Sequence, residues 1–486
     1  MDTQETAPQG GQVGKATLKG LLGYLVFIEL SSGFTQGYYT PLIPAIGEYL
    51  DVSDSNIIWF MTLQTLAAAV SVPLLSKLGD IHGHRRLLRI AVGTVLVGTI
   101  IVALMPSFEV VLLGRVLTGP LAVWLPLQIA IVHSRATGES ARSAIGLMVA
   151  MLTGGAILGT VSSGAVASAM PNLHFTLLMP SILIAFAFWA TLFRIPPTGG
   201  GSKEKVDGVG FLGLAAGMIA LLSGLKAAES YGFGSLTTIA VLAGSAAILV
   251  VWVWWELRVK QPAVDVRLIV SPKLGPLYLT GFLFGMMMFG IQAPLTVFLS
   301  TDPAVAGYGF SANTSLTSAV IATVMVMATV GAAGFARVAR KIGVKALLIL
   351  AVILAGGGSA FVLVFHSELW NMFVYALVFG MGVGFLLGAL PAVVSESAPP
   401  GQTAVATGVY NSLLALGGAT AGAVFAVILG KATPPDSDIA ALSGYLTIWG
   451  IGVGAFTLAL IALLFVNIPK SVEEEVVEEE VQPPLA

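Results

Sequence analysis

The sequence predicts an all-α polytopic membrane protein of about fourteen transmembrane helices, two six-helix bundles with an inserted helix pair between them. Three observations predict it. Of 486 residues, 56% are hydrophobic and only 10% are charged, against roughly 25% charged in an ordinary soluble domain, and the mean hydropathy is +0.92. Apolar runs of about 20 residues, long enough to cross a hydrocarbon core as helices, recur along the whole chain. Lys and Arg gather in alternate loops, the pattern of a multi-pass topology. The runs do not alternate polar and apolar residues, which excludes a β-barrel. A net charge of −2 without a dense basic patch excludes nucleic-acid binding and disorder. The chain has no Cys, so disulfides, thiolate metal sites and thiol nucleophiles are excluded too.

The elements follow in order. Residues 1–19 are expected as a polar cytoplasmic tail. Met1–Lys15 lacks the basic segment and short apolar run of a cleaved signal, so the first apolar run is expected to remain as a span. Spans 20–46, 56–76, 87–106, 109–133, 142–168 and 174–194 make the first bundle, in 20–195. The Pro/Gly/Lys-rich stretch Pro196–Lys205 then leads to spans 208–226 and 235–256, so 196–268 reads as a linker with two inserted helices. Spans 274–300, 314–336, 344–365, 368–394, 402–430 and 443–467 make the second bundle, in 269–468. Residues 469–486 carry the like-charge block Glu473–Glu480 and read as a solvated tail.

Basic residues set the orientation. All of the 23 Lys and Arg fall in the tails and in one set of alternate loops, except Lys226 and Lys431 in the opposite loops and Arg115 inside a span. The positive-inside rule then places both termini in the cytoplasm and requires an even number of spans. A repeat is also visible. The turn Ser76–Arg86 joins spans two and three, and the turn Ala336–Lys345 joins spans ten and eleven; both are tight, basic and Gly-containing. Repeated six-helix halves describe a transporter that rocks about a central site.

Two other motif matches carry nothing. Gly208-Val-Gly210-Phe-Leu-Gly213 has the spacing of a dinucleotide fingerprint, but no strand precedes it. Gly14-Lys15-Ala16 lacks the remaining parts of a phosphate loop. His82 and His84 stand two apart in a turn, and no metal site is expected.

Through Ser76–Arg86, Arg115–Gly119, Leu158–Gly164, Pro262–Leu268 and Gly408–Ala419, the chain resembles the major facilitator superfamily, specifically its fourteen-span drug:proton antiporter branch, over 17–468. Asp80, Gly83 and Arg85 match the superfamily's loop motif G-x-x-x-D-R-x-G-R-R, with Ser76, Ile81 and His84 as departures. Arg115–Gly119 resembles the fourth-helix motif R-x-x-x-G. Leu158–Gly164 resembles the antiporter motif G-P-x-x-G-G of helix five, with Thr160 in place of the Pro and Ser163 in place of a Gly. Pro262–Leu268 resembles the entry to the second half, and Gly408-Val-Tyr410-Asn411 with Gly417-Gly418-Ala419 the penultimate helix. The usual first-helix pattern is absent. The segment Glu29–Pro41 is instead similar to twelve-span antiporters with an acid early in helix one, although Gly37 stands where some carry a second carboxylate.

Glu29 is the one acid well inside a predicted span. About eight residues into the helix, at 1.5 Å per residue, it lies roughly 12–14 Å deep. An ionised carboxylate there is costly, so it is protonated or paired, as a proton carrier must be; the alternative is a structural hydrogen-bonded acid. Arg115 cannot shed its charge and needs an acceptor: Glu29, backbone carbonyls or Gln64 could serve, in a coupling role or as an anchor of helix four. Asp80, Gly83, Arg85, Arg86 and Arg340 are candidates for a conformational latch, with Asp80 capping the following helix and pairing with basic groups in one conformation; plain topology is the alternative. Glu29, Ser32 and Gln36 share a face of helix one by their spacing, and Trp124 and Gln128 stand one turn apart. With Gln64, Met288, Phe289, Gln292, Tyr410 and Asn411 they are the candidate substrate cavity, Met suiting varied apolar ligands. Lipid-facing Met and Phe are the alternative.

The expected function is a proton-coupled secondary transporter that exports amphipathic or cationic small molecules by alternating access, with Glu29 as the coupling and cation-attracting carboxylate. The rival readings are a proton-coupled uptake symporter or facilitator for a small metabolite, and a lipid-handling transporter. No enzymatic activity and no cofactor are expected, the proton gradient being the driving force. Partners are the substrate, protons and the bilayer, without nucleic acid. The chain is expected to be monomeric in the cell (plasma or inner) membrane.

Overall fold

The computed structural model describes residues 15–136, 139–170, 172–198, 207–399 and 403–466, and among these every regular element is helical. The expected acidic tail, most of the N-terminal tail and the linker residues 199–206 lie outside the described residues. Fourteen helical units follow one another: α1 (Lys15–Tyr38), α2 (Trp59–His82), α3 (His84–Leu104), α4 (Phe108–His133), α5 (Glu139–Ala169), α6 (Leu173–Phe193), α7 (Gly208–Tyr231), α8 (Leu236–Glu256), α9 (Gly275–Ser300), α10 (Thr314–Ile342), α11 (Val344–Val364), α12 (Leu369–Ser397), α13 (Thr403–Ala432) and α14 (Leu442–Leu464). Among the described residues thirteen helices are long and apolar enough to cross a membrane, and α1 is not among them. Its second half carries Glu29, Ser31, Ser32, Thr35 and Gln36 where a plain span would carry Leu or Val. The shortfall marks polar cargo on a helix, not a missing one.

Three spans are not the continuous rods expected from their hydropathy. The first ends at Tyr38 and continues through the 3-10 turn Thr40–Leu42 and the short helix Ile43–Tyr49. Within α4 the 3-10 turn Gly119–Val123 separates Phe108–Thr118 from Trp124–His133, and α9 breaks between Gly290 and Gln292. Pro41, Pro120 and Pro294 sit at these breaks. Each lacks an N–H to give to the preceding turn, and its ring presses on the carbonyl four residues back. Backbone of this kind at membrane depth survives only where protein covers it or a cavity receives it.

The repeat seen in sequence is present in the backbone. Helix α2 stops at Gly83 (φ 94°, ψ 128°) and α10 stops at Gly343 (φ 84°, ψ 153°). Both glycines take a positive φ that other residues adopt only with strain, and each closes its helix with an N–H bond to a carbonyl four residues back, of Gly79 and Ala339. Close packing repeats as well. Gly33 and Gly37 of α1 lie against the α5 backbone at Leu152 and Ala156, while Gly155 and Gly159 of α5 lie against Leu30 and Phe34. In the second half, Gly285 of α9 meets Leu414 and Gly417 of α13 meets Phe282. Small residues let backbones touch, the main source of helix association in lipid.

The turns Ser76–Arg86 and Ala336–Lys345 define a basic end of the molecule, and the opposite end is the far end. Two separate hydrophobic cores show how the halves meet. One holds only first-half residues of the basic end, among them Leu25, Ile28, Leu88, Trp124, Ile131, Met148 and Ile184. The other holds the second half together with first-half residues of the far end, including Tyr38, Leu42, Phe60, Val102 and Leu177. The halves therefore share a core at the far end and are parted at the basic end. Polar contacts across the seam follow the same division. Ser163 and Ser318 approach at 3.2 Å and Ser168 and Ser315 at 2.9 Å, between α5 and α10. Thr40 donates to Gln292 (3.2 Å). Asp54 accepts from the Ala440 N–H (3.0 Å) and the Tyr445 hydroxyl (2.9 Å). The inserted pair packs its α7 into the shared core through Leu214, Met218 and Leu222, whereas α8 leaves Leu236, Val250, Val251 and Trp254 exposed, as a lipid-facing helix does.

Candidate functional site

Glu29 is fully buried near the middle of α1, where the basic-end core, which includes Ile28, gives way to the shared core, which includes Tyr38. Its Oε1 accepts from Gln128 Nε2 of α4 at 2.5 Å. Its Oε2 and the Gln128 Oε1 have no hydrogen-bond partner among the described residues. The carboxyl is thus held by a neutral amide, with one oxygen free to carry a proton or to meet a cation. Gln128 stands in Trp124–His133, the part of α4 that follows the 3-10 turn Gly119–Val123.

Arg115 is held elsewhere. Its Nε donates to the Phe60 carbonyl (3.0 Å), and its Nη2 to the Met61 sulfur (3.3 Å) and Gln64 Oε1. The guanidinium lies 4.2 Å from the Phe60 ring centre and 5.0 Å from that of Tyr39, a cation–π cage. Of the three acceptors expected from sequence, the backbone carbonyl and Gln64 are used. Arg115 packs on the far-end residues Phe60 and Tyr39, and among the described residues no bond joins it to Glu29, whose partner Gln128 stands on the same helix α4.

The remaining cavity candidates divide by exposure. Ser32 is buried and accepts from Gln36 Nε2 (3.2 Å), and Gln36 itself is exposed in an otherwise covered stretch. Gln64, Met288, Phe289 and Gln292 are half-buried and Asn411 is exposed. Trp124 and Tyr410 are closed off: Trp124 sits in the basic-end core, and Tyr410 packs its ring on Gly281. Neither lines open space in this conformation. Two surface hollows at the far end, of about 740 and 440 Å³, contain none of these residues.

At the basic turn the expected cap is corrected. Asp80 caps no helix, since Gly83 occupies the N-cap of α3 without a side-chain bond. Asp80 Oδ1 pairs instead with His84 Nε2 at 2.9 Å, the residue that departs from the resemblance. Arg85 donates to the Leu192 carbonyl (2.8 Å), and Arg89, not singled out from sequence, donates to the carbonyls of Thr191 and Leu192. The turn is thereby pinned to the end of α6. Arg86 and Arg340 are exposed.

Sequence reasoning missed two buried acids, Glu256 and Asp207. Glu256, at the base of α8, is 1% exposed; its Oε2 accepts from the Val264 N–H (3.3 Å). It faces Asp207, whose Oδ1 accepts from Gly210 N–H (2.8 Å) and Trp255 Nε1 (3.1 Å). A Cβ at Gly210 would collide with both carboxyls. The glycine that spelled an empty nucleotide motif is therefore the space these two acids need.

Known proteins place this architecture. A profile of the Major Facilitator Superfamily matches residues 25–422. An uncharacterised transporter of that type from Bacillus subtilis, YfiU, is 26% identical over 74% of this chain and 70% of its own length. Lincomycin resistance protein LmrB of Listeria monocytogenes is 23% identical over 54% of this chain, and the match spans 55% of that protein. Among solved structures, nucleoside transporter NupG superposes with a TM-score of 0.64 at 14% identity, over 91% of this chain and 98% of that one; the likeness is one of fold. With its multi-pass helices, paired halves and repeated glycine turns, the chain belongs to the Major Facilitator Superfamily of membrane transporters.

Proposed function

We propose that the protein is a proton-coupled antiporter exporting amphipathic or cationic small molecules, with Glu29 exchanging a proton for the cargo's charge. The observation that carries this reading is the Glu29–Gln128 contact: a fully buried carboxyl whose near partner is a neutral amide. A buried charge without an opposite charge is costly, so this acid holds either a proton or a cation, and only one of them at a time. That exclusivity is what couples two fluxes. With the basic end in the cytoplasm, as the positive-inside rule has it, halves that share a core at the far end and part at the basic end give an inward-facing conformation, ready to collect cargo from the cytoplasm. Relatives named for antibiotic resistance agree with export of such molecules. Inside-out vesicles given a proton gradient and a panel of lipophilic cations test the reading. Cation-dependent proton efflux from the acidified lumen, abolished in Glu29→Gln, is the expected result; proton movement with neutral metabolites and none with cations would replace export by uptake of a metabolite.

A further inference from the structure

The two basic residues that fall in the wrong loops for the positive-inside pattern, Lys226 and Lys431, both sit where the inserted hairpin crosses the far end of the seam. Lys226, in the last turns of α7, gives a hydrogen bond to Asn56 Oδ1 of the first half. Lys431, at the end of α13 in the second half, reaches back and places its Nζ 4.1 Å from the ring centre of Phe233, in the α7–α8 turn. One hook runs from the hairpin to the first half and the other from the second half to the hairpin. Asn56 belongs to the short helix Asp54–Ile57, in which Asp54 holds the Ala440 N–H, the Tyr445 hydroxyl and, through its own N–H, the Asp438 carbonyl. That helix is thus gripped by the second half and by the hairpin at once. Earlier along α7, toward the basic end, Leu214, Met218 and Leu222 belong to the core the halves share.

We infer that the inserted helix pair is a strap across the far-end seam, with Lys226 and Lys431 as its hooks, and that it sets how readily the far side opens. Such opening must separate Asn56 from the Asp438–Tyr445 segment, and a hairpin tied to both sides resists it. A strap that favours the closed far side biases the conformational equilibrium without touching cargo. This deepens the alternating-access reading and rests on it.

The natural absence of Cys makes the test direct. Ser318→Cys places a single thiol at a seam position that is 3% exposed, on the side of the molecule away from the hairpin. Labelling by a membrane-impermeant maleimide, added to right-side-out vesicles, then reports opening of the far side. Lys226→Gln and Lys431→Gln should each raise the labelling rate by roughly two- to fivefold, the factor by which one half-buried hydrogen bond or one exposed cation–π contact shifts a two-state equilibrium. Lys226→Arg and Lys431→Arg should return it toward the parent rate, which a general loosening of the fold would not do. Parent-like labelling in both Gln variants, at parent expression, overturns the strap. If instead the parent thiol reacts at the same rate whatever the proton gradient, alternating access itself fails, and the two failures are told apart.

Discussion

At the scale of single residues, Glu29 and Arg115 are both buried ionisable groups but are held differently, Glu29 by the Gln128 amide and Arg115 by the Phe60 carbonyl, Met61 and Gln64. Glu29→Gln keeps the shape and the bond to Gln128 while fixing the site as neutral. Expression should hold or improve, because removing an unpaired buried charge relieves its desolvation cost; proton-driven accumulation should collapse, and affinity for a cation should fall while that for a neutral analogue barely moves. Cation binding in the parent should strengthen as pH rises, since the proton competes with the cargo, and that dependence should vanish in the Gln variant. Binding titrations across pH on both proteins measure it. Full proton-driven accumulation by Glu29→Gln would make the carboxyl structural. Arg115→Lys should cost both folding and turnover. An ammonium cannot donate from one plane to the Phe60 carbonyl, Met61 and Gln64 while lying over two rings; a melting curve in detergent together with a transport assay would show it.

At the scale of elements, the α1–α5 crossing gives a test that two adjacent glycines decide. A Cβ on Gly155 would run into the Leu30 carbonyl, whereas a Cβ on Gly154 meets nothing within 4 Å. Gly155→Ala should therefore destabilise by about 1–3 kcal/mol, as overpacking does, while Gly154→Ala should be neutral or stabilise by up to about 1 kcal/mol through helix propensity. A lowered thermal midpoint for Gly155→Ala and an unchanged or raised one for Gly154→Ala are expected; equal shifts would mean the helices are not in backbone contact. The Asp80 turn invites a second test. Asp80→Asn should slow turnover more than it weakens cargo binding, and His84→Gln should reproduce the effect, because His84 is the partner the acid holds. These elements also show what could be read from sequence. Glycines four apart on an apolar run announce close packing whatever the partner, so the crossing was legible. The partner of Asp80 was not, because a turn offers His84, Arg85 and Arg86 within a few ångströms and only the backbone path at Gly83 selects among them. The breaks in α4 and α9 were hidden too, since hydropathy sums over a broken helix as readily as over a straight one.

At the scale of the whole molecule, the count of spans and their orientation are set by hydrophobic length and by charge, both written along the chain. How the two halves sit against each other is set by which faces meet, which sequence order does not carry. The shared far-end core and the seam of serines between α5 and α10 give that answer, and they give a way to freeze it. The hydroxyls of Ser163 and Ser318 are 3.2 Å apart, so thiols at these two positions stand close enough to bond. In a chain with no other Cys, Ser163→Cys with Ser318→Cys should form a single cross-link under mild oxidation. Locked there, the protein cannot part its halves at the far end, so transport should stop. Cargo added from the basic side should still bind with near-parent affinity, because neither position touches Glu29 or Gln128. Reduction should restore turnover in the same sample, separating arrest from damage. If the oxidised protein binds nothing from the basic side, the conformation joined at the far end is not the one that receives cargo. If it continues to transport, the halves do not separate at this seam and the rocking motion must be placed elsewhere.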